Sequence, residues 1–287
     1  MTIVHQSTID KSINYISPYG QSFVESRFVQ RNSDYIIVYL SSHNGCARSC
    51  RFCHLTQTGQ TEELDVDLEG YLSQARAVLQ NVAFDEQIEK VHFNFMARGE
   101  PLNNKFFVEN STLIFNELAA LVPENVESKF LVSSIIPKSL EVELAEIFKD
   151  KRSTLYYSMY SVSDDFRKRW LPKARDVNYA LQSIWAAQKT AGINLKIHHS
   201  FISGENDSIL DAKLLCERLR LYGINPDFNI IAYNPYDPSC GKESSIIIAF
   251  TIAQIYRNYF PEAKIKFIDR IGQDVSASCG MFFSEKQ

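Results

Sequence analysis

Three cysteines at short spacing form the most distinctive chemical pattern in the sequence. Cys46, Cys50 and Cys53 lie in a polar loop, with three residues between the first two and two residues between the last two. Such spacing lets several thiolates bind one iron–sulfur cluster. Three thiolates leave one iron of a cubic 4Fe-4S cluster without a protein ligand. A small molecule can chelate that iron, so the loop predicts a cluster with an open coordination site.

A structural zinc site is the alternative explanation of the same loop. Such sites are closed and four-coordinate, so His43, His54 or a distant residue would have to supply the fourth ligand. The cysteine spacing alone is only moderately specific. The motifs that follow it therefore carry much of the argument.

The second motif is Gly99-Glu100-Pro101, directly after a strand-like run at 91–96. A glycine lets the backbone approach a ligand closely, and the neighbouring glutamate can accept hydrogen bonds from an ammonium group. A simple turn before a helix is the alternative for this motif taken alone.

An alternation of strands and helices must position these motifs. Strand-like runs occur at 35–40, 91–96, 129–133, 154–160, 195–201 and 228–232, and helical patterns occur at 64–84, 106–121, 139–149, 177–190, 207–221 and 247–259. A short strand is expected at 23–29 and a last one at 264–268. The pattern predicts an α/β fold, a partial, six-stranded (β/α) barrel of the TIM type. Residues 1–32 would be a short N-terminal extension packing on the barrel, and 33–287 the core domain.

Functional residues of such a barrel collect at the carboxyl ends of its strands. Polar residues do recur there, namely Ser133, Ser158, Tyr160 and Asn234. A polar cofactor would need such a set.

Composition indicates a protein of the cytoplasm. The net charge is −4, so a general nucleic-acid binder is not indicated, although a local basic face remains open. The sequence shows no signal pattern and no apolar run long enough to span a bilayer. The three cysteines outside the loop, Cys216, Cys240 and Cys279, are scattered, which fits a reducing compartment better than a disulfide framework.

With these motifs in order, the chain resembles the radical S-adenosylmethionine enzymes, and among them the RlmN/Cfr group of RNA adenine methyltransferases. The resemblance runs from about Glu25 to Met281. It is carried by 41–53, Gly99-Glu100-Pro101-Leu102-Asn103, Ser133, Ser158-Met159-Tyr160, Asn234-Pro235 and Ala277-Ser278-Cys279-Gly280.

The resemblance implies two cofactors. Cys46, Cys50 and Cys53 would ligate a 4Fe-4S cluster, and the open iron would chelate S-adenosylmethionine. Gly99 and Glu100 would hold its amino end, and Ser133, Ser158, Tyr160 and Asn234 its remaining polar atoms. An electron donor such as flavodoxin or ferredoxin is implied as a partner.

The resemblance also implies a second chemical centre. Cys279 would take a methyl group from one S-adenosylmethionine, and a radical made from a second would activate that methyl for addition to an adenine. Considered alone, Cys279 would be a small buried residue. Glu25 lies, with one residue of slippage, where the group has a carboxylate that removes a proton from the adduct. A surface glutamate is the alternative for Glu25.

The chain departs from the group at the thiol that resolves the covalent adduct. Tyr39 occupies that position, and a phenol cannot form a disulfide. Cys240, in the loop after Asn234-Pro235, is a candidate replacement, and a bystander cysteine is the alternative. Cys216 is expected in the core.

An RNA substrate is the implied partner, and tRNA or a short structured RNA is favoured over bulk ribosomal RNA. The sequence lacks counterparts of the group's N-terminal accessory domain and basic C-terminal extension. A basic run could still contact RNA, with Trp170 stacking on a base or merely part of a solvated helix turn. The run comprises Arg167, Lys168, Arg169, Lys173 and Arg175.

Two further functions compete with RNA methylation. The same radical chemistry could act on another nucleotide, a protein or a metabolite, as the missing second thiol suggests. A cluster-bearing binding protein that does not cleave S-adenosylmethionine is the third possibility.

Overall fold

A single ten-stranded sheet organises the chain, and its strands follow one another in chain order. The computed structural model describes residues 1–284. The strands are β1 (Ile3–Gln6), β2 (Ile13–Tyr19), β3 (Ser22–Asn32), β4 (Tyr35–Tyr39), β5 (Lys90–Phe95), β6 (Glu127–Ser134), β7 (Ser153–Tyr157), β8 (Asn194–Ser200), β9 (Asp227–Ile231) and β10 (Ile265–Ile268). The α-helices are α1 (His54–Gln57), α2 (Leu68–Leu79), α3 (Lys105–Ala119), α4 (Leu144–Ile147), α5 (Asp164–Trp170), α6 (Val177–Ala191), α7 (Ile209–Leu221) and α8 (Ile246–Tyr259).

The strands from β4 to β10 are all parallel, which confirms the predicted α/β class. The parallel part has seven strands, one more than the predicted count of six. The additional strand is β10, which was expected at 264–268 but not counted among the six, and it pairs in parallel with β9. Within residues 1–284, no strand pairing joins β1 to β10, so the sheet remains open.

The N-terminal residues extend the same sheet. β1, β2 and β3 pair antiparallel, and β3 continues into β4 through a further antiparallel pairing. The sequence predicted only one strand here, at 23–29. β3 lies between two partners, and its middle part, 24–27, is buried.

Capping side chains define where the helices begin. Asp67 accepts a hydrogen bond from the amide of Gly70 at the start of α2, and Asn104 accepts one from Phe107 at the start of α3. The helix predicted over 139–149 is reduced to the single turn of α4. Pro137 pairs instead in a β-bridge with Ala174, and the backbone becomes helical only after Glu143.

The hydrophobic core fills the space between the sheet and its helices. Phe93, Phe95 and Phe130 project from the strands toward Phe107 and Phe115 of α3. Burying one such ring contributes ~1.5–3 kcal/mol. One face of the sheet therefore packs against the helices. The other face and the strand ends line a cavity. No helix within 1–284 has the length and apolar character that crossing a bilayer requires.

Candidate active site

The three loop cysteines face one cavity of about 1400 Å³, a volume that includes its open mouth. The loop follows β4, and Cys46 and Cys50 are buried while Cys53 is half-buried. Burial raises the pKa of the Cys46 and Cys50 thiols and raises that of Cys53 to about 11. Such thiols stay protonated unless a cation at the site favours their thiolates.

The loop is fixed by contacts with the segment that follows it. Cys46 donates its amide to the carbonyl of Gln60 at 3.0 Å, and Arg48 pairs with Glu63 at 3.0 Å. A Cβ on Gly45 would lie 2.2 Å from the carbonyl oxygen of Glu62, so only glycine permits this approach.

The donor set fits a cluster better than a closed zinc site. A closed zinc site needs four ligands around one ion, whereas the loop supplies three thiols. A cluster distributes its ligands over several irons. Three thiols facing a cavity that is open on its other side therefore suit a cluster with one free iron.

Gly99 and Glu100 form the neighbouring wall of the cavity. Gly99 has φ +95°, and a Cβ there would lie 2.4 Å from Nδ1 of His43. The Glu100 carboxylate is buried and accepts backbone hydrogen bonds from Leu102 and Ile135, each at 3.1 Å. Burial raises the pKa of Glu100 in spite of these hydrogen bonds. An ammonium group would stabilise its charged form.

The remaining predicted cofactor ligands line the same cavity. The hydroxyls of Ser133 and Ser158 lie 3.3 Å apart. Tyr160 adopts φ +58° and stacks on Phe52, with ring centroids 4.5 Å apart. The structure thus brings together, from successive strand ends, residues that the sequence placed far apart.

Cys279 lies in the C-terminal segment and also lines the cavity. Asn234 donates to the Cys279 carbonyl at 2.8 Å and to Oγ of Ser278 at 3.1 Å. The amide of His54 donates to the carbonyl of Gly280 at 3.1 Å. The residue is exposed but sits on a concave surface, and desolvation there raises the pKa of its thiol. The predicted second centre therefore faces the predicted cluster site.

Glu25 is fully buried, so the alternative of a surface glutamate is wrong. Its carboxylate pairs with Arg98 at 3.1 Å and with Arg27 at 3.0 Å. Within residues 1–284, Glu25 is not among the residues that line the cavity, whereas Arg27 is.

Neither Tyr39, at the position of the group's resolving thiol, nor Cys240, the candidate replacement, contributes a thiol to the cavity lining of residues 1–284. Tyr39 lines the cavity, but Cys240 is buried at the 3₁₀ turn Pro238–Cys240 and is absent from the cavity lining in the described part of the chain. The Cys240 sulfur lies 3.8 Å from Oδ2 of Asp237. Cys216 is in the core, as predicted.

The predicted stacking of Trp170 on an RNA base is wrong. Trp170 is only 1% exposed, packs on Phe166, and is covered by the Arg51 guanidinium at 4.9 Å. Arg167 is buried as well and donates to the carbonyls of Met159 and Arg175. Of the basic run, Lys168, Arg169 and Lys173 remain exposed, and Arg169 pairs with Glu205 at 2.8 Å.

Arg98 is a further residue of the site that the sequence motifs did not indicate. This residue is 1% exposed and donates to the carbonyl of Asn44 in the cysteine loop as well as to Glu25. A charged residue at a strand end, directly before Gly99, is the signal that could have indicated it.

The chain is similar over most of its length to several known proteins. The chain is 29% identical over 282 residues to the dual-specificity RNA methyltransferase RlmN of Campylobacter hominis, covering 89% of this chain and 69% of that protein. It is 26% identical over 285 residues to the probable RlmN of Clostridium beijerinckii, covering 96% and 75%. A radical SAM methyltransferase from Sphaerobacter thermophilus has the same fold, with a TM-score of 0.77 and 20% identity over 98% of this chain and 80% of that one. No family model matches the chain.

The chain resembles the RlmN/Cfr group of radical S-adenosylmethionine enzymes. This RlmN-like chain combines an open sheet with a C-terminal segment whose Cys279 lines the cavity. The predicted fold class is confirmed. The predicted roles of individual residues stay predictions.

Proposed function

We propose that the protein methylates an adenine carbon in RNA through a methyl group carried on Cys279. The observation that carries this proposal is the position of Cys279. Its segment is bonded to Asn234, and the residue lines one cavity with Cys46, Cys50 and Cys53. The relatives are named as RNA methyltransferases, which supports RNA as the substrate class.

Cys46, Cys50 and Cys53 would hold a 4Fe-4S cluster, and Gly99 and Glu100 would receive the amino end of S-adenosylmethionine. When bound, these groups supply a transferable methyl group and, by one-electron cleavage of the carbon–sulfur bond, a 5′-deoxyadenosyl radical. The protein's own contribution is to orient and enclose them.

The position of Glu100 explains how the amino group could be recognised. Its oxygens are already oriented by the amides of Leu102 and Ile135. Burial makes the charged carboxylate costly without a cationic partner. Ser133 and Ser158 offer hydroxyls to the ribose and adenine side of the same ligand.

Cys279 would act as a nucleophile in the first half of the cycle. Its sulfur would form a bond to the methyl carbon as the sulfonium bond breaks, which releases S-adenosylhomocysteine and the thiol proton. The raised pKa of the thiol disfavours the free thiolate, and the neighbouring charge of Arg27 opposes that effect. An electron-poor adenine carbon cannot act as an ordinary nucleophile toward the methyl group of S-adenosylmethionine. Its methylation therefore requires a radical route.

The finer partner assignments belong to the same proposal. We expect tRNA or a short structured RNA, reduction by a flavodoxin or ferredoxin, and action in the cytoplasm. All six cysteines are free, which fits a reducing compartment.

A direct test is anaerobic reconstitution followed by incubation with methyl-labelled S-adenosylmethionine, a reductant and total RNA. Label in a methyladenosine after nuclease digestion supports the proposal, and Cys279→Ala should abolish it. Release of 5′-deoxyadenosine without label in RNA, and without methyl on Cys279, would contradict it.

Another substrate class is the second candidate. It is favoured by Tyr39, which lines the cavity where the group has its resolving thiol, and by Cys240, which lies buried at its 3₁₀ turn. Label in a protein, a free nucleotide or a metabolite, with RNA unlabelled, would select this candidate.

A further inference from the structure

A buried cluster of charged side chains lies beneath the Cys279 segment. Glu25 is at its centre and is 0% exposed. Its Oε1 accepts from Arg98 and from the amide of Phe283, each at 3.1 Å. Its Oε2 accepts from Arg27 at 3.0 Å and from Asn14 at 2.9 Å. Both carboxylate oxygens are therefore engaged by donors of the protein itself.

The partners of Glu25 also bind the C-terminal backbone on both sides of Cys279. Asn14 donates to the carbonyl of Val275 at 3.1 Å, and Arg27 donates to that of Met281 at 2.8 Å. The Arg27 guanidinium also lies over the ring of Phe282, 5.0 Å from its centroid. Residues 275–283 are thus held before and after the reactive cysteine.

Arg98 joins the same cluster to the cysteine loop. It donates to the carbonyl of Asn44 at 3.0 Å and to the side chain of Gln60 at 2.6 Å. Gln60 in turn donates to the carbonyl of Phe283 at 3.1 Å. One buried network therefore contacts both the loop that carries the cluster ligands and the segment that carries Cys279.

We propose that Glu25, Arg27 and Arg98 form a clamp that positions Cys279 relative to the cysteine loop. The importance of Cys279 rests on the proposed function. That the clamp positions the Cys279 segment does not depend on the proposed function, because the clamp consists only of contacts within the chain. Removing one partner of a buried ion pair leaves an uncompensated charge, so the clamp should fail as a unit.

The test measures amide hydrogen exchange and thiol alkylation in the full-length protein as purified under anaerobic conditions. Glu25→Gln removes the central charge, and Arg27→Lys keeps the charge but loses the forked donor. Asp150→Asn is the matched control, because Asp150 pairs with Arg152 outside the clamp. Thermal unfolding establishes that each variant is folded.

We expect amide exchange in residues 275–283 to accelerate by about tenfold or more in both clamp variants and to stay unchanged in the control. Alkylation of Cys279 by iodoacetamide should accelerate in parallel, with buried Cys216 as the internal reference. If Glu25→Gln does not fold, the rate of amide exchange in residues 275–283 of Arg27→Lys alone tests the clamp.

Unchanged exchange in 275–283 would overturn the clamp. Accumulation of a covalent protein–RNA adduct in Glu25→Gln, with exchange and alkylation as in the unmodified chain, would instead make Glu25 a proton acceptor. Failure of the proposed function has a different signature, since a chain that never methylates Cys279 would still show the exchange effect.

Discussion

Asn234 donates a 2.8 Å hydrogen bond to the backbone carbonyl of Cys279. This bond joins the end of the ninth strand to the segment that carries the exposed thiol. The carbonyl of Asn234 is in turn 3.2 Å from Nε2 of His54, in the helix that follows the cysteine loop. The two proposed chemical centres are thus connected through one asparagine.

Replacing Asn234 tests whether this connection positions the thiol. Asn234→Ala should reduce the rate of Cys279 methylation by ~10-fold or more, because a bond worth about 1 kcal/mol and a defined position are both lost. The iron content and the absorbance of the reconstituted cluster should stay the same. Asn225→Ala, at an exposed position just before β9 and so at the other end of that strand, is the control. Equal methylation rates in both variants would contradict the positioning role.

Gly99 provides a steric test of the cofactor wall. In Gly99→Ala the new Cβ would lie 2.4 Å from Nδ1 of His43 and 2.8 Å from its backbone nitrogen. We expect the loss of S-adenosylmethionine binding in calorimetry and a decrease of ~2 kcal/mol or more in the free energy of unfolding.

Gly204→Ala is the matched control for that experiment. Gly204 has a similar positive φ of +74°, but a Cβ there meets no atom within 4 Å. It should cost only the ~1–2 kcal/mol of a left-handed alanine and leave binding intact. Binding by Gly99→Ala at the unmodified affinity would show that the close approach at Gly99 is not required.

Cys240 can be separated from Cys279 by paired substitutions. Because Cys240 is 2% exposed and is absent from the cavity lining of residues 1–284, Cys240→Ala should leave product yield unchanged. Cys279→Ala should abolish product. A trapped protein–substrate adduct in Cys240→Ala, seen as a shifted band on a denaturing gel, would instead identify Cys240 as the resolving thiol.

Buried histidines predict a specific dependence of stability on pH. Burial lowers the pKa of His199 to about 4 and that of His198 to about 3. In the unfolded chain these histidines bind protons near pH 6.5, whereas in the folded chain they stay neutral at that pH. Their contribution to the free energy of unfolding is therefore fully present above pH 6.5 and is lost as the pH falls toward the folded-state pKa values.

The measurement for this dependence is chemical denaturation at pH 7 and pH 5. His199→Gln should make the loss between the two values smaller by about 2 kcal/mol. Glutamine keeps an acceptor near the Tyr256 hydroxyl, which lies 3.3 Å from Nε2 of His199. His5→Gln, near the N-terminus, should leave the loss as it is in the unmodified chain. If His199→Gln lost as much free energy of unfolding between pH 7 and pH 5 as the unmodified chain does, His199 would not be a source of the pH dependence.

The exposed cations of the basic run allow a test of RNA contact. Arg167 is structural, so the informative substitutions are Lys168→Glu and Lys173→Glu. If these lysines contact phosphates, the slope of log affinity for RNA against log salt should decrease by about one for each. Lys105→Glu, which is highly exposed on α3, is the control. An unchanged slope would exclude this face from the RNA contact.

The sequence predicted the parts of the site that depend on local spacing and strand order. Cys46, Cys50 and Cys53 lie within eight residues, so their common role was evident from the loop alone. Ser133, Ser158 and Asn234 were predicted because the carboxyl ends of parallel strands meet at one edge of a sheet. The cavity contains all six of these residues.

The parts that depend on pairing across the fold could not be predicted in this way. Glu25 alternates with apolar residues as an exposed strand residue would, and its burial follows from Arg98, which lies 73 positions further along the chain. Trp170 was expected at the surface because its neighbours are basic. Its burial depends on Phe166 and on Arg51 from the cysteine loop.

The central claim is that Cys279 carries the methyl group. The most direct test is peptide mass spectrometry of the protein after anaerobic reconstitution and incubation with methyl-labelled S-adenosylmethionine and a reductant. We expect one labelled methyl group, on Cys279 and on none of the other five cysteines. Efficient formation of 5′-deoxyadenosine with Cys279 unmodified would contradict it.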